Sequence, residues 1–289
     1  MNIIINYKET PDIYYMALDI QIVSDLHLEF VADKKKLVCF KQSAKVLALL
    51  GDTCCVASDE DFDLFKKFII EIIPLYEHII MVSGNHEYYN DSKKRNVNTE
   101  AIQTMSMCND KIKNFFKQTS RKLYYLNNSS ISMNINNNSY LVIGSTLWSN
   151  IPEEKTEIIK EMMSDYKYIY IDDEKGKPRK IIPSDINGIF KTNYRFIKTQ
   201  IKKAEQFKMK AIVLTHHCPF ISLKGPRRKT DTAYMTDCTE LIRPPVVLWA
   251  WGHRHINEHF KMNNVIMYSN CKGYPREKTE FSQDNIIKI

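Results

Sequence analysis

The stretch VVLWAWGHRH (246–255) governs how the rest of the chain is read. Its first six residues are aromatic, β-branched or otherwise apolar, the composition of a strand buried on both faces. Its last four hold a glycine, two histidines and an arginine. On an extended backbone His253 and His255 are two apart and point to the same side. Two imidazoles at the end of a core strand are either a surface coincidence or half of a metal site. The neighbouring strands decide between these.

Apolar runs predict further strands at IQIVS (20–24), KVLALL (45–50), HIIMVS (78–83), YLVIGS (140–145), KAIVLT (210–215) and NVIMYS (264–269). Helical periodicity predicts helices over 61–73, around 99–117, around 153–168 and near 186–207. The last carries Ile186, Ile189, Phe190, Tyr194, Ile197 and Ile201 on one face. Alternating strands and helices make an α/β protein with largely buried sheets. We expect one domain over 1–289, with residues 1–18 as an N-terminal extension and a polar surface loop at about 172–184.

Five of the strand runs stop at polar residues. They lead into Asp25-Leu26-His27, Gly51-Asp52, Gly84-Asn85-His86-Glu87, His216-His217 and Gly252-His253-Arg254-His255. Six of the eight histidines therefore follow apolar strands directly. Ligands and catalytic groups of open α/β sheets gather beyond the carboxyl ends of the strands, so these five ends can meet at one point. Asp25, His27, Asp52, Asn85, His216, His253 and His255 are oxygen and nitrogen donors with no cysteine among them. Seven donors are too many for one four-coordinate ion and suit two ions sharing a carboxylate. Such a pair clamps the attacking and leaving oxygens of a phosphoryl group.

Composition narrows the function. No apolar run approaches the roughly 20 residues of a membrane span, and the N-terminus lacks the basic head and apolar run of a signal peptide. The net charge of +7 permits an anionic substrate without demanding nucleic acid. Seven cysteines without a CxxC pair suit a reducing compartment, with cytosol as the expectation.

The ordered series DLH, GD, GNHE, a strand-end histidine and GHRH resembles the calcineurin-like metallophosphoesterases. The stretches SDLHLEF (24–30), GSTLWSN (144–150), MMSDYKYI (162–169), THHCP (215–219) and YSNCKGYP (268–275) resemble a small bacterial-type branch of that family. The resemblance implies a four-layer α/β/β/α sandwich of two mixed sheets flanked by helices. It also implies that Asp25, His27 and His255 hold one metal ion, that Asn85, His216 and His253 hold a second, and that Asp52 bridges them. His86 would assist the leaving group, and a metal-bridging hydroxide would be the nucleophile. Manganese is the expected metal, with iron or zinc as alternatives. The expected substrate is a small phosphodiester or phosphomonoester, a nucleotide in first place. A nuclease acting on polymeric nucleic acid and a non-catalytic binding module of the same fold are the alternatives.

The sequence departs from the protein Ser/Thr phosphatases of this superfamily. They carry GDxxDRG where this chain has GDTCCVA (51–57), so Cys55 stands in place of the aspartate that orients their catalytic histidine. Protein phosphatase activity is therefore not expected, and His86 needs another partner. Of the paired histidines, His216 aligns with the strand end, which leaves His217 for the substrate side. Arg254 is a candidate phosphate grip that could equally face water. Tyr88 and Tyr89 are candidates to wall the cleft or to pack in the core, and the basic segment 225–230 is a candidate substrate loop. Cys54 and Cys55 read as small buried apolar residues. Glu87 has no role legible from the sequence.

Overall fold

The structure is a computed structural model that describes residues 18–31, 41–90, 102–135, 137–225 and 227–289. The expected N-terminal extension lies, but for Leu18, outside the described residues. Two sheets face each other. In the first, β13 (Ile286–Lys288), β1 (Asp19–Val23), β2 (Val46–Leu50), β3 (His78–Val82) and β4 (Leu123–Tyr125) lie side by side in that order. Strands β1 to β4 are parallel and β13 runs against β1. The second orders β11 (Glu258–Met262), β12 (Val265–Ser269), β10 (Val246–Trp251), β9 (Lys210–Thr215), β6 (Asn138–Ser145) and β5 (Ser129–Ile135). Its four central strands are parallel and both outer ones antiparallel.

Alternate residues of the strands fill the two sides of each sheet. Ile20, Ile22, Ala48, Leu50, Ile80 and Val82 meet Val142, Ile212, Leu214, Leu248 and Ala250 between the sheets. On the outer side of the first sheet, Leu47, Leu49, Ile79 and Met81 join one core with Phe65 and Phe68 of α1 (Asp59–Ile72) and Ile112 and Phe116 of α2 (Met105–Thr119). On the outer side of the second, Leu141, Ile143, Val213 and Trp249 join another with Ile197, Ile201 and Ala204 of α5 (Pro183–Gln206). This is the expected four-layer sandwich of two mixed sheets. At about 25 cal/mol per Å² of apolar surface buried, these three cores drive folding.

Local chemistry sets the helix starts. The Ser58 side chain accepts the Asp61 N–H at 3.1 Å and caps α1, whose first turn carries Asp59, Glu60 and Asp61 where the dipole favours acids. Pro183 opens α5, and Asp185 accepts the Ile182 N–H at 2.9 Å. Two expectations change in detail. The helix expected around 153–168 is broken, with α3 (Thr156–Met162) and α4 (Asp165–Tyr168) separated at Met163 and Ser164. The polar segment expected as a loop at 172–184 forms the turn of a hairpin of β7 (Tyr170–Asp172) and β8 (Pro178–Lys180), after which α5 begins. Its lysines and glutamate stay exposed at the turn, while Ile181 closes onto the core.

Candidate dinuclear metal centre

The carboxyl ends of β1, β2 and β3 lie beside those of β9 and β10, and each hands a polar loop into the same space. The chain turns sharply there: Asp25, His27, Asp52, His253 and His255 all hold positive φ, between 47° and 68°. Such conformations cost a residue with a side chain on the order of 1 kcal/mol or more and persist only where the surroundings enforce them. Backbone bonds between loops do so here. Asp25 N–H donates to Gly51 C=O at 3.0 Å and His27 N–H to Asp52 C=O at 2.9 Å. Gly252 N–H donates to His216 C=O at 2.8 Å. A Cβ on Gly252 would collide with Ser24 Oγ, so the close approach of β10 to β1 requires glycine.

Asp25, His27 and His255 form one cluster of donor atoms, all within 4.8 Å of one another. His27 donates Nδ1–H to Glu29 Oε1 at 3.2 Å, and His255 donates Nδ1–H to Glu277 Oε2 at 2.5 Å. These bonds fix both tautomers, so both Nε2 lone pairs point inward. The two Nε2 atoms are 3.2 Å apart, and His255 Nε2 is 3.2 Å from Asp25 Oδ1. Two ring nitrogens and a carboxylate facing one another repel unless a proton or a metal ion lies between them. The donor set fits a divalent metal ion.

Asp52, His216 and His253 form the second cluster. His216 gives Nδ1–H to the Leu50 carbonyl at 2.7 Å, which turns its Nε2 toward Asp52 Oδ1 at 3.4 Å and Asn85 Oδ1 at 3.2 Å. The buried Nε2 of His253 has no hydrogen-bond partner among the described residues, and the ring stacks between His217 and Tyr234. Asp52 Oδ2 meanwhile lies 3.9 Å from His27 Nε2 of the first cluster. One carboxylate therefore stands between both groups of histidines.

The electrostatics follow from this crowding. Burial works against ionisation throughout. Even so, the histidines hold the Asp25 and Asp52 carboxyls well below the usual carboxylate range. Reciprocally, and again against burial, Asp52 raises His216 to about 9, while Asp25 and Glu277 raise His255 to about 10. Burial and neighbouring imidazoles push His217 and His253 well below their ordinary value.

His86 holds no position in either cluster. Its backbone N–H donates to Asp52 Oδ1 at 2.8 Å, its ring stacks on Tyr89 at 4.2 Å, and its Nδ1–H donates to Glu29 Oε1 at 2.9 Å. Its Nε2 is 3.1 Å from the Tyr274 hydroxyl. Burial opposes protonation of this ring, and the Asp52 and Glu29 carboxylates outweigh it, so its pKa is raised.

Several residues absent from the sequence expectations complete the site. Glu29 faces His86; the missing aspartate at Cys55, with a glutamate two residues after His27, was the available signal. Asp165 Oδ1 accepts from Asn85 Nδ2 at 2.9 Å and from the Tyr89 hydroxyl at 2.6 Å, which leaves Asn85 Oδ1 to face His216. The break between α3 and α4 delivers this aspartate. Glu87 accepts three backbone N–H groups, from Gly84, Asp52 and Thr53, at 2.6, 2.9 and 2.8 Å, and so ties the β2 and β3 loops together. Burial and the nearby Asp52 raise its pKa to about 7.

Other expected site residues lie elsewhere. Tyr88 is buried, bonds to Asn109 Oδ1 at 2.9 Å and packs against Trp148, whereas its neighbour Tyr89 lines the cleft. His217 is buried behind His253, bonded to Ser149 Oγ at 2.8 Å, and is not part of the cleft wall. Arg254 borders the cleft, but its guanidinium neither faces water nor is free: it donates to Lys224 C=O at 2.9 Å, lies 3.7 Å from Glu258, and its side chain is 6% exposed. Cys54 and Cys55 are buried. Arg228, from the basic segment 225–230, does reach the cleft, as do Tyr234, Lys278, Met162 and Met163. The cleft encloses ≈ 350 Å³ over Asp52, Asn85, His86, His253 and His255.

Strand-end aspartates and histidines gathered in two adjoining clusters, on a two-sheet sandwich, define a metal-dependent hydrolase of phosphoric esters. The calcineurin-like phosphoesterase family model matches residues 18–257, and the chain belongs to that family. It is 32% identical over 290 residues to "Uncharacterized protein L509" of Acanthamoeba polyphaga mimivirus, covering 93% of this chain and 96% of that protein. Among solved structures it is similar to the phosphopantetheinyl hydrolase PptH from Mycobacterium tuberculosis. That similarity has a TM-score of 0.64 and 14% identity, and covers 95% of this chain and 97% of the other. At that identity the likeness concerns the fold. No helix among the described residues is long and apolar enough to cross a membrane.

Proposed function

We propose that the chain hydrolyses phosphodiester or phosphomonoester bonds of a small phosphorylated molecule, a nucleotide in first place, with two divalent ions. The observation that carries this reading is the position of Asp52, whose two oxygens lie 3.4 Å from His216 Nε2 and 3.9 Å from His27 Nε2. Asp25, His27 and His255 would hold one ion, Asn85, His216 and His253 the other, and Asp52 both. Once bound, such ions neutralise phosphoryl charge and lower the pKa of water; manganese suits the mixed nitrogen and oxygen donors.

The protein's own groups supply orientation and the proton. Asn85, its amide turned by Asp165, presents an oxygen inward. His86 keeps Nδ1–H on Glu29 and gives the Nε2 proton to the departing oxygen. The Tyr274 hydroxyl, 3.1 Å from that nitrogen, marks the distance at which a leaving oxygen would receive it. Tyr89, Tyr234 and Tyr274 offer faces to a base or another flat leaving group, and Arg228 and Lys278 offer charge to further phosphates. A cleft of ≈ 350 Å³ is on the scale of small-molecule sites.

With Mn²⁺ added, the purified protein should cleave bis-p-nitrophenyl phosphate or p-nitrophenyl phosphate, and a panel of nucleotides and cyclic nucleotides should contain a better substrate. His86→Ala should lower kcat by about 10²-fold or more with metal content unchanged. A wild-type protein inert with every divalent metal would remove the catalytic reading, and an unimpaired His86→Ala would remove the leaving-group role.

A further inference from the structure

We propose that Glu29 is a positioning residue that orients two imidazoles at once, the leaving-group acid His86 and the metal ligand His27. The inference rests on the reading of His86 given above. It follows from the geometry of one oxygen. Glu29 Oε1 lies 2.9 Å from His86 Nδ1 and 3.2 Å from His27 Nδ1, while Oε2 has no hydrogen-bond partner among the described residues. The side chain is 4% exposed, so water does not compete for these bonds.

Glu29 reaches this position because the chain after His27 closes at once into a single 3-10 turn, Leu28–Phe30, laced to the next loop by Leu28 N–H on Thr53 C=O at 3.0 Å. Cys55, where related phosphatases carry an aspartate, is buried close enough for Glu29 to disfavour its thiolate after burial itself. The carboxylate that the GD motif lacks is thus supplied from the DLH motif.

His27, Glu29 and His86 also satisfy the spacing of a metal cluster. A third ion there is unnecessary and chemically awkward. A neutral imidazole has one lone pair, and His27 directs its Nε2 into the first cluster, so its Nδ1 carries a proton. His86, as the leaving-group acid, carries a proton on both nitrogens and has no lone pair for an ion. With Nδ1–H held by Glu29, only Nε2 exchanges a proton with the cleft. As a water-derived oxygen bonds to phosphorus, its proton passing to solvent, the ester P–O bond breaks; that bond's electron pair goes to the departing oxygen, which takes the Nε2 proton. His86 is left neutral, its Nδ1–H still on Glu29, and is reprotonated from solvent. On the His27 side, the same carboxylate holds Nδ1–H and so keeps Nε2 turned toward the first cluster.

The experiment compares wild type, Glu29→Gln, Glu29→Ala and His86→Ala on a series of aryl phosphate esters whose phenols span a wide range of pKa, with Mn²⁺ saturating. Glu29→Gln keeps the side-chain volume and an acceptor at Oε1 for both imidazoles, and so disturbs the packing less than the alanine variant. Loss of proton assistance penalises poor leaving groups, so log kcat/KM should fall more steeply with phenol pKa in His86→Ala. Both Glu29 variants should steepen the slope in the same sense, alanine more than glutamine, with about 10–100-fold lost on the poorest leaving groups. Calorimetric Mn²⁺ titration should show one of the two ions bound about 10–100-fold more weakly in Glu29→Ala.

A residue that only supports the fold would lower every substrate equally and leave the slope alone. A wild-type slope in both Glu29 variants, beside a steep one in His86→Ala, overturns the inference and spares the reading of His86. A wild-type slope in His86→Ala overturns that reading itself. Unchanged Mn²⁺ affinity in both Glu29 variants overturns the His27 half.

Discussion

The Asn85 amide has two chemically different ends, and only Oδ1 can serve a cation. What prevents the amide from flipping is Asp165, whose Oδ1 accepts from Nδ2 at 2.9 Å. Burial raises the Asp165 carboxyl above its usual range despite the donors around it, so its ionised form leans on the Tyr89 and Asn85 hydrogen bonds. Asp165→Ala should therefore weaken one Mn²⁺ site by about 10–100-fold in calorimetry, with Asp165→Asn, which keeps an acceptor, less affected. Equal affinities in wild type and Asp165→Ala would show that Asn85 needs no such restraint. Glu87 acts on backbone rather than on ligands. Its removal in Glu87→Ala strands three buried N–H groups and should cost about 3–5 kcal/mol in urea unfolding. These partners explain what could be read at this scale. The seven candidate donors and His86 follow apolar runs directly and are visible along the chain. Asp165 and Glu277 reveal themselves only when loops meet, because their partners are 80 and 22 residues away.

Elements divide in the same way between interior and rim. The seven strands expected from apolar runs are β1, β2, β3, β6, β9, β10 and β12, every interior strand of the two large sheets. Apart from the β7–β8 hairpin, the strands not foreseen are β4, β5, β11 and β13, the edges of these two sheets. An interior strand is covered on both faces and must be continuously apolar, whereas an edge is short or half solvated. SSISMNI and EHFKM accordingly intersperse polar residues. Local sequence thus fixes the strands that carry the donors, and pairing partners fix the rest. Periodicity predicts one helix across α3 and α4 because it does not register a single non-helical step at Met163. Two glycines separate position from propensity at this scale. Gly252→Ala drives a Cβ into Ser24 Oγ at the end of β10 and should cost about 1–3 kcal/mol and weaken Mn²⁺ binding. Gly188→Ala, in α5 with nothing within 4 Å of the new Cβ, should stabilise by about 0.5–1 kcal/mol and leave the rate unchanged. Denaturant midpoints of the two variants should move in opposite directions.

Across the whole molecule, protons and metal ions compete for the same inward-facing lone pairs. In the metal-free protein His216 is raised to about 9 and His255 to about 10, because buried carboxylates favour their charged forms more than burial opposes them. A histidine whose folded pKa exceeds its unfolded value of about 6.5 stabilises the fold fully below that pH. That contribution is lost as pH rises through 9 to 10. Glu87, raised to about 7, adds a loss of the same sign between its ordinary carboxyl range and neutrality. Asp25 and Asp52, held low, contribute above the ordinary carboxyl range and lose their contribution as pH falls through it. The metal-free protein should therefore weaken from about pH 6.5 upward. A bound ion must displace the proton on each of these two nitrogens at pH 7 and displaces progressively less as pH rises through 9 and 10. The Tm increase at a fixed free Mn²⁺ concentration should consequently grow between pH 6.5 and 9. Calorimetric titration at pH 7, in buffers of different ionisation enthalpy, should register release of about two protons as both ions bind. A Tm increase independent of pH, with no proton release, would mean that His216 and His255 do not present their Nε2 atoms to the ions.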